Sequence, residues 1–175
     1  MPNHMLPLRA MALTALVAPI AGAAQTLCAK SEVDYFSCRL SDRRIISVCG
    51  IVHDEPMAGD WLQYRYGFPR RLEMVWPQER AGSIERFEGN VFGPYSVSDL
   101  RFRIDNADHG ISISRGGEDN RAGGLTRREA DEHVAREGLP DVVRKCVRPD
   151  IARYGRVFED LNARLSNWRS ARTSR

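Results

Sequence analysis

Apolar and polar side chains alternate along most of the chain between residues 33 and 114. A period of two is typical of β-strands, because successive side chains of a strand point to opposite faces of a sheet. The predicted antiparallel hairpins pair strands 35–40 with 45–49, 61–66 with 71–76, and 100–105 with 111–113. In the third hairpin an apolar face opposes a charged one, which indicates a sheet that is wet on one side. We therefore expect an antiparallel curved sheet or a small open barrel.

The pattern changes in the next segment, 115–124. It contains four glycines and no apolar side chain larger than Ala122, which predicts an exposed loop. Beyond it, Thr126 and Glu129 have the spacing of a capping box, in which each side chain accepts a hydrogen bond from a free backbone amide. A first C-terminal helix is therefore predicted from this box to about Glu137.

A second C-terminal helix is predicted after Asp150, which is placed to cap it. Apolar residues recur there at spacings of three and four, as on one face of a helix, namely Ile151, Tyr154, Phe158, Leu161, Leu165 and Trp168. We expect this stripe to pack on the sheet. The whole prediction is thus a mainly β domain with two C-terminal helices in the segment 126–169.

The first 24 residues have the pattern of a cleavable export signal. Arg9 precedes an apolar run at 11–20, and small residues follow at 21–24. The run is shorter than the roughly 20 residues that span a bilayer, so we expect no membrane span after cleavage. The remaining 25–175 is predicted to be one periplasmic or secreted domain. It is not expected to be a lipoprotein, because no small residue stands directly before Cys28.

The four cysteines all follow the predicted signal; they are Cys28, Cys38, Cys49 and Cys146. An even number in an exported chain predicts two disulfides, which stabilise the fold. A three-residue loop in the first hairpin turns Cys38 and Cys49 to opposite faces, which disfavours a bridge between them. Cys49 with Cys28 and Cys49 with Cys146 both remain open. No cysteine has the CxxC spacing or histidine partners of a zinc site, so no metal is expected.

Charge adds little to the functional picture. The chain has 26 Lys and Arg, 23 Asp and Glu and a net charge of +3. Nucleic-acid binding is not expected, because that role needs a dense basic patch with interleaved aromatic residues. No cofactor-binding motif is present, since the glycine pairs do not stand between a strand and a helix as a phosphate loop requires.

Histidine and carboxylate residues offer few candidates for catalysis. His53 is followed by Asp54 and Glu55, but three adjacent side chains cannot all aim at one point, and acid–base catalysis depends on geometry. His109 is predicted at the tip of the third hairpin and His133 in the middle of the first C-terminal helix, both facing solvent. Because there is neither HExxH nor GxSxG, no catalytic residue is assigned.

Aromatic and arginine side chains cluster in the second hairpin, and these residue types dominate binding hot spots. The core face of this hairpin is expected to carry Leu62, Tyr64, Tyr66, Met74 and Trp76. The other face and the turn carry the candidate binding residues, Trp61, Arg65, Phe68, Arg70 and Arg71.

Three segments resemble a group of uncharacterised secreted bacterial proteins, in which an FSC…VCG pair precedes an LQYR(Y/F)G strand. These segments are Phe36-Ser-Cys-Arg39, Ile45-Ile-Ser-Val-Cys-Gly50 and Leu62-Gln-Tyr-Arg-Tyr-Gly67. The resemblance covers about residues 28–113. It implies a secreted protein and brings no activity with it.

A looser similarity relates Tyr35-Phe-Ser-Cys38 to the Tyr-x-Cys motif of periplasmic inhibitors of C-type lysozyme, which are small disulfide-containing β-barrels. It is a likeness of compartment and architecture. We expect a non-catalytic binding module, inhibitor- or immunity-like, whose partner is another exported or envelope protein. The alternatives are a small periplasmic hydrolase using His53 or His109, and a structural envelope protein, which an exposed apolar stripe on the final helix would favour.

Overall fold

The computed structural model describes residues 26–55, 57–92, 97–115, 128–147 and 151–173. Its elements are β1 (Val33–Arg39), β2 (Ile45–Ile51), β3 (Trp61–Phe68), β4 (Arg71–Trp76), a short 3₁₀ helix (Ser83–Arg86), β5 (Phe87–Phe92), β6 (Val97–Ile104), β7 (Ala107–Arg115), β8 (Arg128–Arg136), β9 (Val142–Lys145) and α1 (Ile151–Thr173). The predicted signal peptide, the capping residues Thr126 and Asp150, and all but the first residue of the predicted loop 115–124 lie outside the described residues.

The strands form two antiparallel sheets, in which each strand pairs with its neighbours in sequence. Sheet A contains β1 to β4 and sheet B contains β5 to β9. Tyr64 lies opposite Trp76 and Tyr66 opposite Met74, so these four side chains share one face, as the alternation predicts. The prediction of a mainly β, antiparallel fold is confirmed. Two sheets replace the expected single curved sheet or open barrel, and no described strand of one sheet pairs with a strand of the other.

The inner faces of both sheets and α1 share one hydrophobic core. The ring centroids of Tyr64 and Phe102 are 5.0 Å apart, and those of Trp76 and Phe102 are 5.4 Å apart. Phe36 of β1 approaches Phe158 of α1 at 5.4 Å. Burial of each large apolar side chain contributes about 1.5–3 kcal/mol, so these contacts join the two sheets and the helix.

α1 is the second predicted helix, and the described part of its apolar stripe is buried. The buried members are Tyr154, Phe158, Leu161, Leu165 and Trp168. The helix backbone passes so close to β5 that a Cβ on Gly89 would lie 2.4 Å from the carbonyl oxygen of Asn162. Neither α1 nor any other helix in the described part of the chain is long and apolar enough to cross a membrane.

The first predicted C-terminal helix is wrong, because that segment contains β8, which pairs with β7 and β9. Ala130, Glu132 and Val134 point inward and are buried, whereas Asp131 and His133 alternate with them. This is the period of a strand. A charged residue at the central inward position hid the alternation, and the apparent capping box favoured a helix instead.

The third hairpin has a tighter turn than predicted. β6 ends at Ile104 and β7 begins at Ala107, so the connection is only Asp105–Asn106. Asp105 has a φ of 50°, a left-handed conformation that Asp tolerates better than most residues. His109 was predicted at the tip and facing solvent, but it lies within β7 and is 7% exposed.

Both predicted disulfides are present, and they resolve the pairing. Cys28 bonds to Cys49, which attaches the segment before β1 to β2. Cys38 bonds to Cys146, which attaches β1 of sheet A to the residue after β9 of sheet B. Closing loops of 21 and 108 residues stabilises the fold by about 3 and 5 kcal/mol in the chain-entropy account.

We expect Gly89→Ala to lower the free energy of unfolding by about 1–3 kcal/mol, because the added Cβ forces β5 and α1 apart. Gly59 is the matched control, since a Cβ there meets nothing within 4 Å. Gly59→Ala should change the free energy by less than about 0.5 kcal/mol. Urea unfolding followed by circular dichroism measures both, and equal stabilities would contradict the close packing of α1 on β5.

Candidate functional site

Two of the predicted binding residues, Trp61 and Arg65, are buried, each with 7% of its surface exposed. The guanidinium of Arg65 donates to both carboxylate oxygens of Glu32, at 2.6 and 2.9 Å, and to the carbonyl of Leu27 at 3.0 Å. Arg80 lies over the ring of Trp61, with Cζ 4.0 Å from the centroid. These contacts hold the segment before β1 against sheet A. They cover a face of the sheet that the strand alternation alone predicts to be exposed.

Glu32 is the centre of this structural cluster, and its side chain is 3% exposed. Burial by itself raises the pKa of Glu32, but hydrogen bonds from Arg65 and the amide of Ala29, together with the nearby Arg80, hold the pKa below its usual range. The carboxylate is therefore fully occupied by neighbours within the chain. Arg65 is likewise buried and bonded within the fold.

The other three predicted binding residues, Phe68, Arg70 and Arg71, lie together at the turn between β3 and β4. Phe68 is half-buried, and both arginines are exposed. The ring of Phe68 has the guanidinium carbons of Arg44 and Arg71 at 5.3 and 5.1 Å from its centroid. Trp61 is at the opposite end of β3. The structure thus divides the five predicted residues into a buried pair and a group of three at the surface.

Arginine and aromatic side chains alternate in a row from this turn toward the interior. Arg71 lies over Phe68, Arg44 lies over both Phe68 and Tyr66, and Arg144 of β9 lies over Tyr66. The guanidinium carbons are 5.1 to 5.8 Å from the ring centroids, within the range of cation–π attraction. We call these five residues the arginine–aromatic ladder.

Acidic neighbours fix Arg44 at the middle of the ladder. Its Nε donates to Glu73 at 2.7 Å and its Nη1 donates to Asp42 at 2.7 Å. Hydrogen bonding to Glu73, and then to Asp42, raises the pKa of Arg44 above its usual value. These contacts therefore hold the guanidinium in one orientation over the rings of Phe68 and Tyr66.

The inner end of the ladder meets a buried carboxylate, that of Glu132, whose exposed fraction is zero. Nδ1 of His109 lies 2.9 Å from Oε1, and Nη1 of Arg144 donates to Oε2 at 2.7 Å. The ring of Tyr64 lies beside this cluster, with its centroid 5.9 Å from that of the His109 ring. Because an ionised carboxylate only accepts hydrogen bonds, Nδ1 of His109 carries the hydrogen. Sheet A supplies Tyr64, and sheet B supplies the other three residues.

These hydrogen bonds also decide the protonation of Glu132. Burial alone raises the pKa of this carboxyl, but the hydrogen bonds from His109 and Arg144 and the positive charge of Arg144 outweigh it and hold the pKa below its usual range. Burial, together with the neighbouring Glu132, raises the pKa of Tyr64 well above its usual value. The cluster therefore contains a carboxylate and a neutral phenol at pH 7.

A cavity of about 390 Å³ opens beside this cluster, between β3 and β4 of sheet A and β6 to β9 of sheet B. Its apolar walls include Tyr66, Met74, Ile104 and Val134, and its polar lining includes His109, Arg136 and Arg144. This size and this mixture of apolar walls with a few polar groups are typical of small-molecule sites. The cavity is smaller than a second depression on sheet B but more enclosed.

A wider depression of about 630 Å³ lies on the outer face of sheet B. Several of its charges are paired, because Arg101 donates to Asp99 at 2.5 Å and Arg103 lies 3.6 Å from Asp108. His133 also borders it, in strand β8 and not in a helix as predicted, and is 3.3 Å from Asp131. The Arg101–Asp99 and Arg103–Asp108 pairs therefore balance much of the charge in this depression, whereas Arg86 adds a further positive charge to its lining.

The side chains of the His53–Asp54–Glu55 cluster do not meet at one point. This agrees with the prediction made from their adjacency. His53 instead pairs with Asp60, a buried residue that also accepts a hydrogen bond from the amide of Met57 at 2.9 Å. Asp54 forms an ion pair with Arg164 of α1 at 2.7 Å. The geometry therefore uses this loop to close a turn and to hold the helix.

Metal ligands come together at one place in the described part of the chain, where Cys28, Glu32 and Cys49 are neighbours. Both sulfur atoms belong to the disulfide between these cysteines, and the carboxylate of Glu32 binds Arg65 and Arg80. The two cysteines are therefore engaged in their disulfide, and Glu32 is engaged in its ion pairs.

Sequence reasoning missed Glu132, Arg44 and Arg144 as parts of the site. Glu132 stands at the middle of the three inward positions of β8, so strict alternation over 130–134 was the signal that pointed to a buried charge. Arg144 carried no such signal, because its role depends on the pairing of β8 with β9 and on the approach of Tyr66 from sheet A.

Comparison of the chain with protein-family models finds no match, and comparisons with curated proteins and with solved structures find none either. The resemblance to secreted bacterial proteins and the likeness to lysozyme inhibitors therefore remain predictions. The geometry described above is the basis of the proposals that follow.

The Glu132 cluster makes a prediction about stability and pH. Because its pKa is lowered in the fold, the charge stabilises the folded state fully above the ordinary value of 4.5, and this contribution is lost as pH falls through the folded pKa. We expect Glu132→Gln to cost about 3 kcal/mol at neutral pH and to differ less from wild type at about pH 3.

Unfolding by urea across this pH range measures the effect. Glu73→Gln is the control, since Glu73 forms ion pairs with Arg44 and Arg71 but is partly exposed, and surface pairs contribute about 0–1 kcal/mol. An equal loss of unfolding free energy in the two variants at neutral pH would show that the buried carboxylate stabilises the fold no more than an exposed one.

Proposed function

We propose that the chain is an exported, non-catalytic binding module that contacts another protein through the outer part of the arginine–aromatic ladder. The observation that carries this proposal is the arrangement of Phe68 between Arg44 and Arg71 at an exposed turn. Aromatic and arginine residues are the side chains on which interface energies concentrate. Export is supported by the two disulfides, which persist in oxidising compartments.

The surroundings of Phe68 indicate the chemistry of the partner. Leu72 and Met74 of the edge strand β4 are 47% and 38% exposed, so an apolar patch adjoins the arginines. Arg70 and Arg71 are exposed in the adjoining turn, and Arg71 lies over the ring of Phe68. A partner surface with apolar side chains bordered by carboxylates fits this patch, as an inhibitor or immunity protein would find on its target. Such charge complementarity speeds association and selects the partner.

A hydrolase is the second candidate. The observation that favours it is the contact between Nδ1 of His109 and Glu132, since a carboxylate orients the imidazole in this way in hydrolytic triads. The residues described around the cavity include no Ser, Thr or Cys, so water would have to be the nucleophile. Turnover of p-nitrophenyl esters that His109→Gln abolishes in a folded protein would favour the hydrolase.

The binding proposal predicts a partner that depends on the ladder. Affinity capture from a bacterial envelope fraction, with mature protein as bait, should yield one stoichiometric protein. Phe68→Ser with Arg71→Glu should weaken its binding by about thirtyfold or more, because loss of a hot spot costs at least about 2 kcal/mol. The readout is the dissociation constant for the identified partner.

Phe92→Ser with Arg156→Glu is the matched control, because both residues are exposed and neither belongs to the ladder. It should leave the affinity unchanged. Equal binding by the ladder variant, or the lack of any stoichiometric partner, would contradict the proposal.

A further inference from the structure

We propose that the cavity beside Glu132 binds a small organic acid, with the apolar body of the ligand inside and its carboxylate against Arg144 and Arg136. This inference goes beyond the protein partner proposed above, because it concerns a small molecule and a site whose charged residues, Arg136 and Arg144, are not part of the proposed interface. It depends on the shape of the cavity and on the two guanidiniums of its lining.

Strand β8 contributes Val134 and Arg136 to the lining of the cavity, and the buried Glu132 precedes them along the strand. Glu132, Val134 and Arg136 are two residues apart, so their side chains share one face of the strand. Glu132 is fully buried, Val134 is 4% exposed and Arg136 is exposed. A ligand that enters here meets an apolar wall and leaves its polar end near a guanidinium. This order of side chains fits an amphiphilic molecule.

The charge available to a ligand is positive. Glu132 cannot pair with a cationic ligand, because its carboxylate is inaccessible and already accepts hydrogen bonds from His109 and Arg144. Two guanidiniums line the cavity, and Asp105 is the one carboxylate at its lip. An organic anion is therefore favoured over an organic cation.

Arg144 is already oriented to receive a carboxylate. Its Nη1 donates to Glu132, and its guanidinium carbon lies over the ring of Tyr66, 5.2 Å from the centroid. A guanidinium has five N–H donors in a fixed plane, so donors remain for a second carboxylate while the first holds the group still. A planar guanidinium binds a carboxylate through two parallel hydrogen bonds.

Arg136 supplies the second positive charge. It is exposed and forms no ion pair with any residue that the structure describes. Among these residues nothing competes with a ligand for its charge. Because Arg136 is not needed to neutralise a buried group, its substitution removes ligand contacts with little effect on the fold. It is the residue on which the inference is most directly tested.

The test is isothermal titration of the full mature protein with three probes of similar shape, 3-phenylpropionate, 3-phenylpropanol and 3-phenylpropylamine. We expect the acid to bind and the amine not to bind. The alcohol should bind with an affinity at least about tenfold lower than that of the acid. Equal affinity for the acid and the alcohol, binding of the amine, or no binding of the acid would each overturn the inference.

Two pairs of variants locate the site. Arg136→Gln should weaken binding of 3-phenylpropionate by about tenfold, whereas Arg156→Gln on the exposed face of α1 should not. Met74→Trp should fill the cavity and abolish binding, whereas Leu72→Trp, two residues away on the same strand and outside the lining, should not. Thermal unfolding of each variant confirms that it is folded.

Failure of this inference is separable from failure of the proposed function. Binding of the acid without a protein partner would support the cavity alone, and a ladder-dependent partner without acid binding would support the interface alone. Loss of acid binding in Leu72→Trp as well as Met74→Trp would place the ligand outside the cavity and overturn the inference.

Discussion

The buried negative charge of Glu132 is the constraint on which the cavity and the arginine–aromatic ladder depend. A carboxylate removed from water is costly unless its neighbours satisfy it. Here His109 of β7 and Arg144 of β9 satisfy it. Both contact rings of β3 in sheet A, because the ring centroid of Tyr64 lies 5.9 Å from that of His109 and Arg144 lies over Tyr66. The residues that stabilise the charge are therefore also residues through which the two sheets meet.

The same charge links the core to the surface. Arg144 is held by Glu132 and lies over Tyr66, whose ring also meets Arg44, and Arg44 continues the row to Phe68. Each contact is weak by itself, since exposed cation–π pairs contribute about 0.5–1 kcal/mol. Together they give exposed arginines defined positions without a second buried core. The proposed cavity site and the proposed interface thus lie at opposite ends of one row of contacts, which runs from Glu132 to Phe68.

Much of the β architecture could be predicted from the sequence, and its failures have physical causes. The second hairpin follows its alternation, since Tyr64, Tyr66 and Trp76 share a face. β8 was mistaken for a helix because a core position holds Glu132, and local capping signals are weaker than pairing with two neighbouring strands. The site itself could not be predicted, because its members are separated in sequence and meet only through the packing of sheet A on sheet B. Arg65 shows the converse, since a covering segment buries a side chain that alternation leaves free.

The most direct test of this account is NMR of the arginine side chains in ¹⁵N-labelled protein at neutral pH. If ionised Glu132 holds Arg144, rotation of that guanidinium is slow and its Nη hydrogens give separate signals, whereas those of the exposed Arg156 are averaged. In Glu132→Gln the Arg144 signals should merge. Averaged signals for Arg144 in the wild-type protein would contradict the claim that a buried charge organises the cavity and the arginine–aromatic ladder.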